Sequence, residues 1–328
     1  MAARVIATLA AVLTAAGCAS HVRMAPEPAL PVCRTTTPAG ARAVRWISPY
    51  DADDRKELRA WCDPVGPIVR HDPGSARAPS AGPLVVVTWN MAVGDGRLVE
   101  LVADVRGQAR GVEPAIVLLL QEAYRRGDVP AQCPTGSGVA GRLGSPRGPD
   151  SPDILELART LAMYAVYVPS MRNGRDCSEQ PREDRGNAIL STLPLDDVLA
   201  IEMPFAQQRR VAVAAIVRHG AGVRVASVHF DTLRGHGRHA LALRDVVESM
   251  AGPEPVVIGG DFNAHLFDSG VAEMRKHFAE IECAGGATHA IGRLDRLFTR
   301  GLRGASTCER GSDSFGSDHY PLIFRFSF

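Results

Sequence analysis

From Leu84 onward the chain alternates short apolar runs with polar stretches bounded by Gly and Pro, and this pattern restricts its fold more than any other feature. Leu84 to Thr88 and Ile116 to Leu120 are near-continuous apolar runs of strand length. Runs of this kind read as strands buried on both faces. Further strands are expected near Ala165–Val168, Ala188–Ser191, Val211–Val217, Val223–Val228, Val256–Ile258, Arg293–Phe298 and Leu322–Phe326. The 211–217 and 223–228 runs, joined by Arg218-His219-Gly220-Ala221-Gly222, read as a hairpin. Helices are expected over Gly96–Arg110, Asp153–Met163, Arg238–Met250 and Ser269–Ala279. Strands interleaved with helices define an α/β chain, and no internal repeat is visible. At 328 residues and 45% hydrophobic content, it can bury one large core or two small ones.

The N-terminus reads as an export signal. Arg4 is a thin positive region, and Val5 to Ala16 form an apolar stretch of 12 residues. A stable span of a bilayer takes about 20. The stretch ends in Ala15-Ala16-Gly17-Cys18, similar to a bacterial lipobox whose cysteine is lipidated after cleavage; Ala15 departs from the larger aliphatic residue preferred there. The rival reading is ordinary signal cleavage between small residues. Export is therefore expected, as a membrane-tethered periplasmic or cell-surface lipoprotein through Cys18, otherwise as a secreted protein. Either way six cysteines remain, and an even count in an exported chain suggests disulfides, although six permit fifteen pairings. Chain order favours Cys33–Cys62, Cys133–Cys177 and Cys283–Cys308; free buried thiols are the alternative. Zinc is disfavoured because no Cys-x-x-Cys pair occurs.

After the 1–18 signal, residues 19–82 are rich in Pro and Ala and read as linker plus a short cap, with a helix over Asp51–Trp61. The catalytic domain is expected over 83–328, with a loop-rich insert at 125–184. Charges balance, 37 basic against 36 acidic, and 36 against 36 once Arg4 leaves with the leader. That removes the basic excess of a protein living by non-specific grip on nucleic acid.

Polar residues cluster where the strands stop. One strand ends Thr88-Trp89-Asn90, the next Gln121-Glu122, a third His229-Phe230-Asp231, and a fourth Gly260-Asp261-Phe262-Asn263. Ser317-Asp318-His319-Tyr320-Pro321 precedes the last strand. Ligand sites in α/β sheets gather at the carboxyl ends of strands. Carboxylates, amides and imidazoles there can hold a hard cation and move a proton, the parts of a metal-assisted hydrolase.

Together with Gly186-Asn187-Ala188-Ile189-Leu190-Ser191, Ser227-Val228-His229 and Leu294-Asp295-Arg296-Leu297-Phe298, these motifs resemble, in order, the endonuclease/exonuclease/phosphatase superfamily. That group includes DNase I, exonuclease III, neutral sphingomyelinases and inositol-polyphosphate 5-phosphatases. The resemblance covers about 84–328 and implies a four-layer α/β/β/α sandwich, two mixed β-sheets packed face to face with helices outside. It implies Mg²⁺ or Mn²⁺ held by Glu122, with Asn90 as ligand or phosphate contact and Asp318 as a further acidic contact. Asp295 is the carboxylate that the family sets against the histidine equivalent to His319, the proton-transfer group. Asp261 would orient or deprotonate the attacking water, Asn263 would fix a phosphate oxygen, and His229 would donate to a non-bridging oxygen. Which of Asp261 and His319 takes the proton stays open. Asn187, Arg234 and Arg238 are candidate substrate contacts, whereas His265, His277 and His289 read as surface residues and Trp89 as core.

The expected reaction is hydrolysis of a phosphodiester by in-line attack of water, by an exported nuclease acting as a monomer. Alternatives are a sphingomyelinase-type phospholipid phosphodiesterase, an inositol-phosphate phosphatase, or a non-catalytic binding module on the same scaffold. The partners follow: nucleic acid or phospholipid as substrate, and a membrane if Cys18 is lipidated.

Overall fold

The computed structural model describes residues 22–26, 44–62, 65–74, 82–109, 113–126, 142–143, 151–173, 183–249, 252–265 and 268–327. Two mixed β-sheets lie face to face. The first runs in the order β1 (Met24–Pro26), β2 (Arg45–Pro49), β9 (Leu195–Glu202), β10 (Val211–Val217), β11 (Val223–His229), β12 (Val256–Asp261), β14 (Asp295–Arg300) and β13 (Ala279–Ile281). The second runs β15 (Ser306–Arg310), β16 (Leu322–Phe326), β4 (Leu84–Asn90), β5 (Ala115–Arg126), β8 (Glu183–Ser191), β7 (Tyr164–Asn173) and β3 (Val69–His71), with β6 (Arg142–Leu143) beside β7. The helices are α1 (Ala52–Cys62), α2 (Leu98–Gly107), α3 (Ile154–Thr160), α4 (His236–Ser249) and α5 (Ser269–His277).

Three apolar layers explain why the strands lack alternation. Leu84, Val86, Val117 and Leu119 face Val213, Val225, Val257 and Leu297 between the sheets. Their neighbours Val85, Val87, Ile116 and Leu118 turn outward onto Leu101 and Val105 of α2 and Ile154 and Ala158 of α3. On the opposite side Ala212, Val228 and Ile258 pack under Leu243 of α4 and Val271 and Met274 of α5. Most residues of the central strands therefore meet an apolar partner whichever way they point. This is the expected α/β/β/α sandwich. The sheets approach so closely at Gly259 that a Cβ there would sit 2.9 Å from Thr88 Cβ and Leu119 Cδ1.

Several elements differ from expectation. β9 escapes a pattern search because Asp196 and Asp197 interrupt it; each is matched by an arginine, Arg218 and Arg224 respectively. β15 is a polar edge strand, tied to the core by its ladder with β16 and by the Cys283–Cys308 disulfide. The segment expected as linker and cap carries α1 as foreseen, but also β1, β2 and β3, which extend both sheets upstream of Pro83. Within the expected 125–184 insert, β7 is a strand of the second sheet, α3 packs on that sheet's outer face, and β5 continues to Arg126 through a bulge. Cys18, the Cys33–Cys62 and Cys133–Cys177 pairs lie outside the residues or side chains described. No helix among the described residues is long and apolar enough to cross a membrane.

Candidate active site

One edge of the sandwich collects the polar strand ends. Parallel pairing sets Asn90 beside Gln121 and His229 beside Asp261, and antiparallel pairing sets Asp261 beside Asp295. His229, Asp261 and Asp295 thus form a row across three adjacent strands. The loop before β16 brings in His319 from the other sheet. Ser317 fixes that loop: its hydroxyl donates to the Asn90 carbonyl oxygen at 2.6 Å and accepts from the His319 backbone N–H at 3.0 Å. Trp89 fastens the loop from below, its indole N–H donating to the His319 carbonyl at 2.9 Å. It is wholly buried, as a core residue should be.

Asp261 is the hub. Its Oδ2 accepts from Asn90 Nδ2 at 3.0 Å and faces His229 Nε2 at 3.5 Å and His319 Nε2 at 3.8 Å. Its Oδ1 accepts from the Asn263 backbone N–H at 2.8 Å. Burial and the neighbouring Asp295 carboxylate push the Asp261 pKa up, opposed by His319. A carboxylate so placed is a better base than one in water.

The two histidines are driven in opposite directions. His319 Nδ1–H donates to Asp295 Oδ2 at 2.7 Å, leaving Nε2 directed at Asp261. Burial alone would lower its pKa, but the carboxylates of Asp295, Asp261 and Asp318 outweigh it and raise the value to about 9. His319 is therefore an imidazolium at neutral pH, with both ring nitrogens protonated and only Nδ1 already hydrogen-bonded to a carboxylate. His229 is the reverse. Burial, then the charges of Arg210 and His319, hold its pKa well below the usual histidine range. Arg210 Nη1 lies 3.2 Å from His229 Nδ1, and a guanidinium can only donate. Nδ1 must accept, so the neutral ring carries its proton on Nε2, the nitrogen that faces Asp261.

Glu122 and Asn90 supply the oxygen donors. Glu122 sits at the β5 bulge with φ 48°, where the register shift between Leu120 and Ala123 turns one side chain out of the ladder. Its carboxylate is 3.7 Å from the Arg185 guanidinium, looser than a hydrogen bond. The Asn90 amide oxygen accepts from the Ala92 N–H at 3.0 Å and retains a second lone pair. A carboxylate and an amide oxygen, with no thiolate in the set, fit a hard divalent cation such as Mg²⁺ or Mn²⁺. Asp318 stands at the rim with its side chain 63% exposed.

The remaining sequence candidates divide. Asn263, just beyond β12 with φ 48°, donates its amide to the Phe230 carbonyl at 3.1 Å. Asn187 is turned inward rather than toward substrate: its amide nitrogen donates to the carbonyls of Val211 and Ser227, at 3.0 and 3.2 Å, bridging the sheets. Arg238 is likewise drawn away, pairing with Asp54 of α1 at 2.6 Å and donating to the Phe205 carbonyl. Arg234 is exposed on the loop after Asp231.

Three residues of the site escaped sequence reasoning. Arg185 and Arg210 begin near strand starts, a position with no polar-end signal, although Asp184-Arg185 directly precedes the Gly186-Asn187 motif. His289, expected on the surface, has its ring centroid 4.7 Å from that of His319.

A family model described as "Endonuclease/Exonuclease/phosphatase family" matches residues 87–319. Among solved structures, the chain is similar to an endonuclease/exonuclease/phosphatase family protein from Leptotrichia buccalis C-1013-b, at 12% identity over 75% of this chain and 100% of that one, TM-score 0.52. It is similar to an endonuclease/exonuclease/phosphatase from Beutenbergia cavernae DSM 12333, at 18% identity over 75% and 72%, TM-score 0.50. It is also similar to the human Nocturnin catalytic domain with bound sulfate, at 17% identity over 80% and 97%, TM-score 0.51. At these identities the likeness concerns the fold. No curated protein sequence matches the chain.

Proposed function

This chain belongs to the endonuclease/exonuclease/phosphatase family, and from that premise we propose that it hydrolyses phosphodiester bonds by in-line attack of water, with nucleic acid as the first substrate class. The family consists of divalent-metal-dependent phosphoesterases, so the chain is a phosphoric ester hydrolase. The observation that carries the finer reading is the convergence of Asn90, His229 and His319 on one buried carboxylate, Asp261.

Roles follow from the protonation states. Asp261, with its raised pKa, orients water and takes its proton as the new P–O bond forms in line with the ester P–O bond that breaks, and the departing alkoxide takes a proton from solvent. His319, an imidazolium held by Asp295, donates through Nε2 to charge developing on the phosphate. His229, neutral and protonated on Nε2, is a second donor. Asn263 contributes through its amide. Glu122, Asn90 and Asp318 are the residues that would hold Mg²⁺ or Mn²⁺, which when bound neutralises charge on the phosphorus oxygens. Positioning and electrostatics dominate such reactions.

A second reading, a phospholipid phosphodiesterase, is favoured by one feature. Leu233 and Ile291 are the most exposed large apolar side chains described, at 74% and 64%, and they lie on the loops after His229 and before Asp295. Aliphatic side chains flanking a phosphoesterase site would suit a lipid surface. Incubating the mature protein and its Glu122→Ala variant with Mg²⁺ and DNA, RNA, sphingomyelin vesicles or phosphoinositides separates these readings. Turnover of none of them by the wild type under Mg²⁺ or Mn²⁺ would instead favour a binding module.

Export and tethering through Cys18 belong to the same proposal, as does a monomeric state. Cys18→Ala should move the protein from the membrane fraction to the soluble exported fraction. Continued recovery of that variant with membranes would refute the tether.

A further inference from the structure

We propose that His289 is a substrate-contact residue of this site, donating its Nε2–H to an oxygen of the phosphate that His319 also contacts. The inference rests on the phosphoesterase reading above and assigns a role to a side chain that no sequence motif marks.

The placement is built, not incidental. His289 lies in a tight turn closed by reciprocal backbone bonds with Gly292, His289 N–H to Gly292 carbonyl and the reverse, both 3.0 Å. The turn is clipped on two sides. Thr288 Oγ1 accepts from the Leu294 and Asp295 N–H groups at 3.1 Å, locking it to the start of β14. The Thr288 carbonyl accepts from the Tyr320 N–H at 2.7 Å, locking it to the loop that carries Asp318 and His319. The turn is consequently fixed against both β14 and the His319 loop, and the His289 ring centroid lies 4.7 Å from that of His319.

The tautomer decides what the ring can do. The Ile291 backbone N–H donates to His289 Nδ1 at 3.2 Å, so Nδ1 accepts and the neutral ring is protonated on Nε2. That N–H is 3.7 Å from Asp318 Oδ2, beyond hydrogen-bond range, and the side chain is 21% exposed. It is a donor that a ligand can reach. One ring nitrogen each of His289 and His319 and a carboxylate oxygen of Asp318 lie within 4.8 Å of one another, so the two rings are close enough to serve neighbouring oxygens of one phosphate group. The same three side chains could be taken for a transition-metal site. Ligation through Nε2 would require the proton on Nδ1, facing the Ile291 N–H, and the turn is built against that arrangement.

The test uses the full mature chain with Mg²⁺ and two readouts: binding of inorganic phosphate, and kcat/KM on a small water-soluble phosphodiester. His289→Ala should weaken both by about 10- to 100-fold, the loss typical of a hydrogen bond to a charged group. His289→Gln, whose amide nitrogen reaches the Nε2 position, should recover most of that loss at an unchanged melting temperature. In ¹⁵N spectra of the wild type, the His289 Nε2 resonance should be that of a protonated nitrogen and should move on addition of phosphate. Unaltered phosphate affinity in His289→Ala overturns the proposal, whether or not the wild type turns over any ester. Zn²⁺ binding at micromolar concentration that disappears in His289→Ala also overturns it, in favour of a metal ligand. A wild type that binds phosphate through His289 yet cleaves no ester would sink the hydrolytic reading while sparing this one.

Discussion

Asp295→Asn isolates the charge that keeps His319 protonated. The substitution is nearly isosteric, so the 2.7 Å contact with His319 Nδ1 can persist as a neutral hydrogen bond. What disappears is the main influence raising His319 to about 9. Burial, the largest effect and a lowering one, remains, opposed now only by Asp261 and Asp318, and the pKa should fall back toward the ordinary histidine value of ~6.5. At pH 7.5 the imidazolium fraction then drops from ~97% to ~10% or less, which removes roughly tenfold in rate through protonation alone. The pH dependence of kcat/KM should therefore lose its alkaline limb near 9 and gain one near 6.5 or lower, with part of the activity returning as the pH is lowered toward 6. Stability should follow. A histidine whose folded pKa lies above its unfolded value stabilises below ~6.5, and that contribution is lost as pH rises through about 9; a 2.5-unit difference corresponds to about 3 kcal/mol. Metal-free wild type should weaken between pH 6.5 and 9, and Asp295→Asn should be flatter over the same range. Urea titrations at four pH values and a pH–rate profile measure both. An alkaline limb unmoved by the substitution, or a rate loss that does not depend on pH, would mean that Asp295 does not set the protonation of His319.

Three other consequences are open to measurement. Trp89→Phe leaves the buried His319 carbonyl without its 2.9 Å donor, which should cost about 1–3 kcal/mol and lower Tm by several degrees; calorimetry showing an unchanged Tm would mean that the indole does not hold the loop. Arg210→Met removes both the charge and the donor beside His229 Nδ1, so the His229 pKa should rise and kcat should fall about 10- to 100-fold, with ¹⁵N spectra showing loss of the single Nε2–H tautomer; retention of that tautomer would contradict the assignment. Leu233→Asp combined with Ile291→Asp should abolish turnover of vesicle-bound phosphodiester while leaving a soluble ester within about twofold. Equal losses on both substrates would remove the argument for a lipid surface.

The fold and the placing of polar residues at the strand ends were legible because their signals are local. Strands buried on both faces declare themselves as apolar runs, and residues such as Asn90, Glu122, His229 and Asp261 stand at the ends of those runs, so a motif and its position coincide. β9 was not legible because Asp196 and Asp197 interrupt the run, and only the folded chain brings Arg218 and Arg224 to them. Similarly, nothing in the order of residues says that Arg210 will lie against His229, or that His289 will be locked between β14 and the His319 loop. Asn187 and Arg238 are, in the opposite direction, engaged elsewhere in the fold. Their motif and loop positions suggested substrate, but the carbonyls of Val211 and Ser227 and the carboxylate of Asp54 claim them.

The central claim is that Asp261, flanked by His229 and His319 and served by a cation at Glu122, activates water against a phosphodiester. Its most direct test is the turnover rate of Asp261→Asn beside wild type, with Mg²⁺ and then with EDTA, on DNA and on phospholipid vesicles. Wild type should show Mg²⁺-dependent turnover of at least one substrate, abolished by EDTA and reduced by about 10²- to 10⁴-fold in Asp261→Asn. Turnover by Asp261→Asn at the wild-type rate, or wild-type turnover indifferent to EDTA, would contradict it.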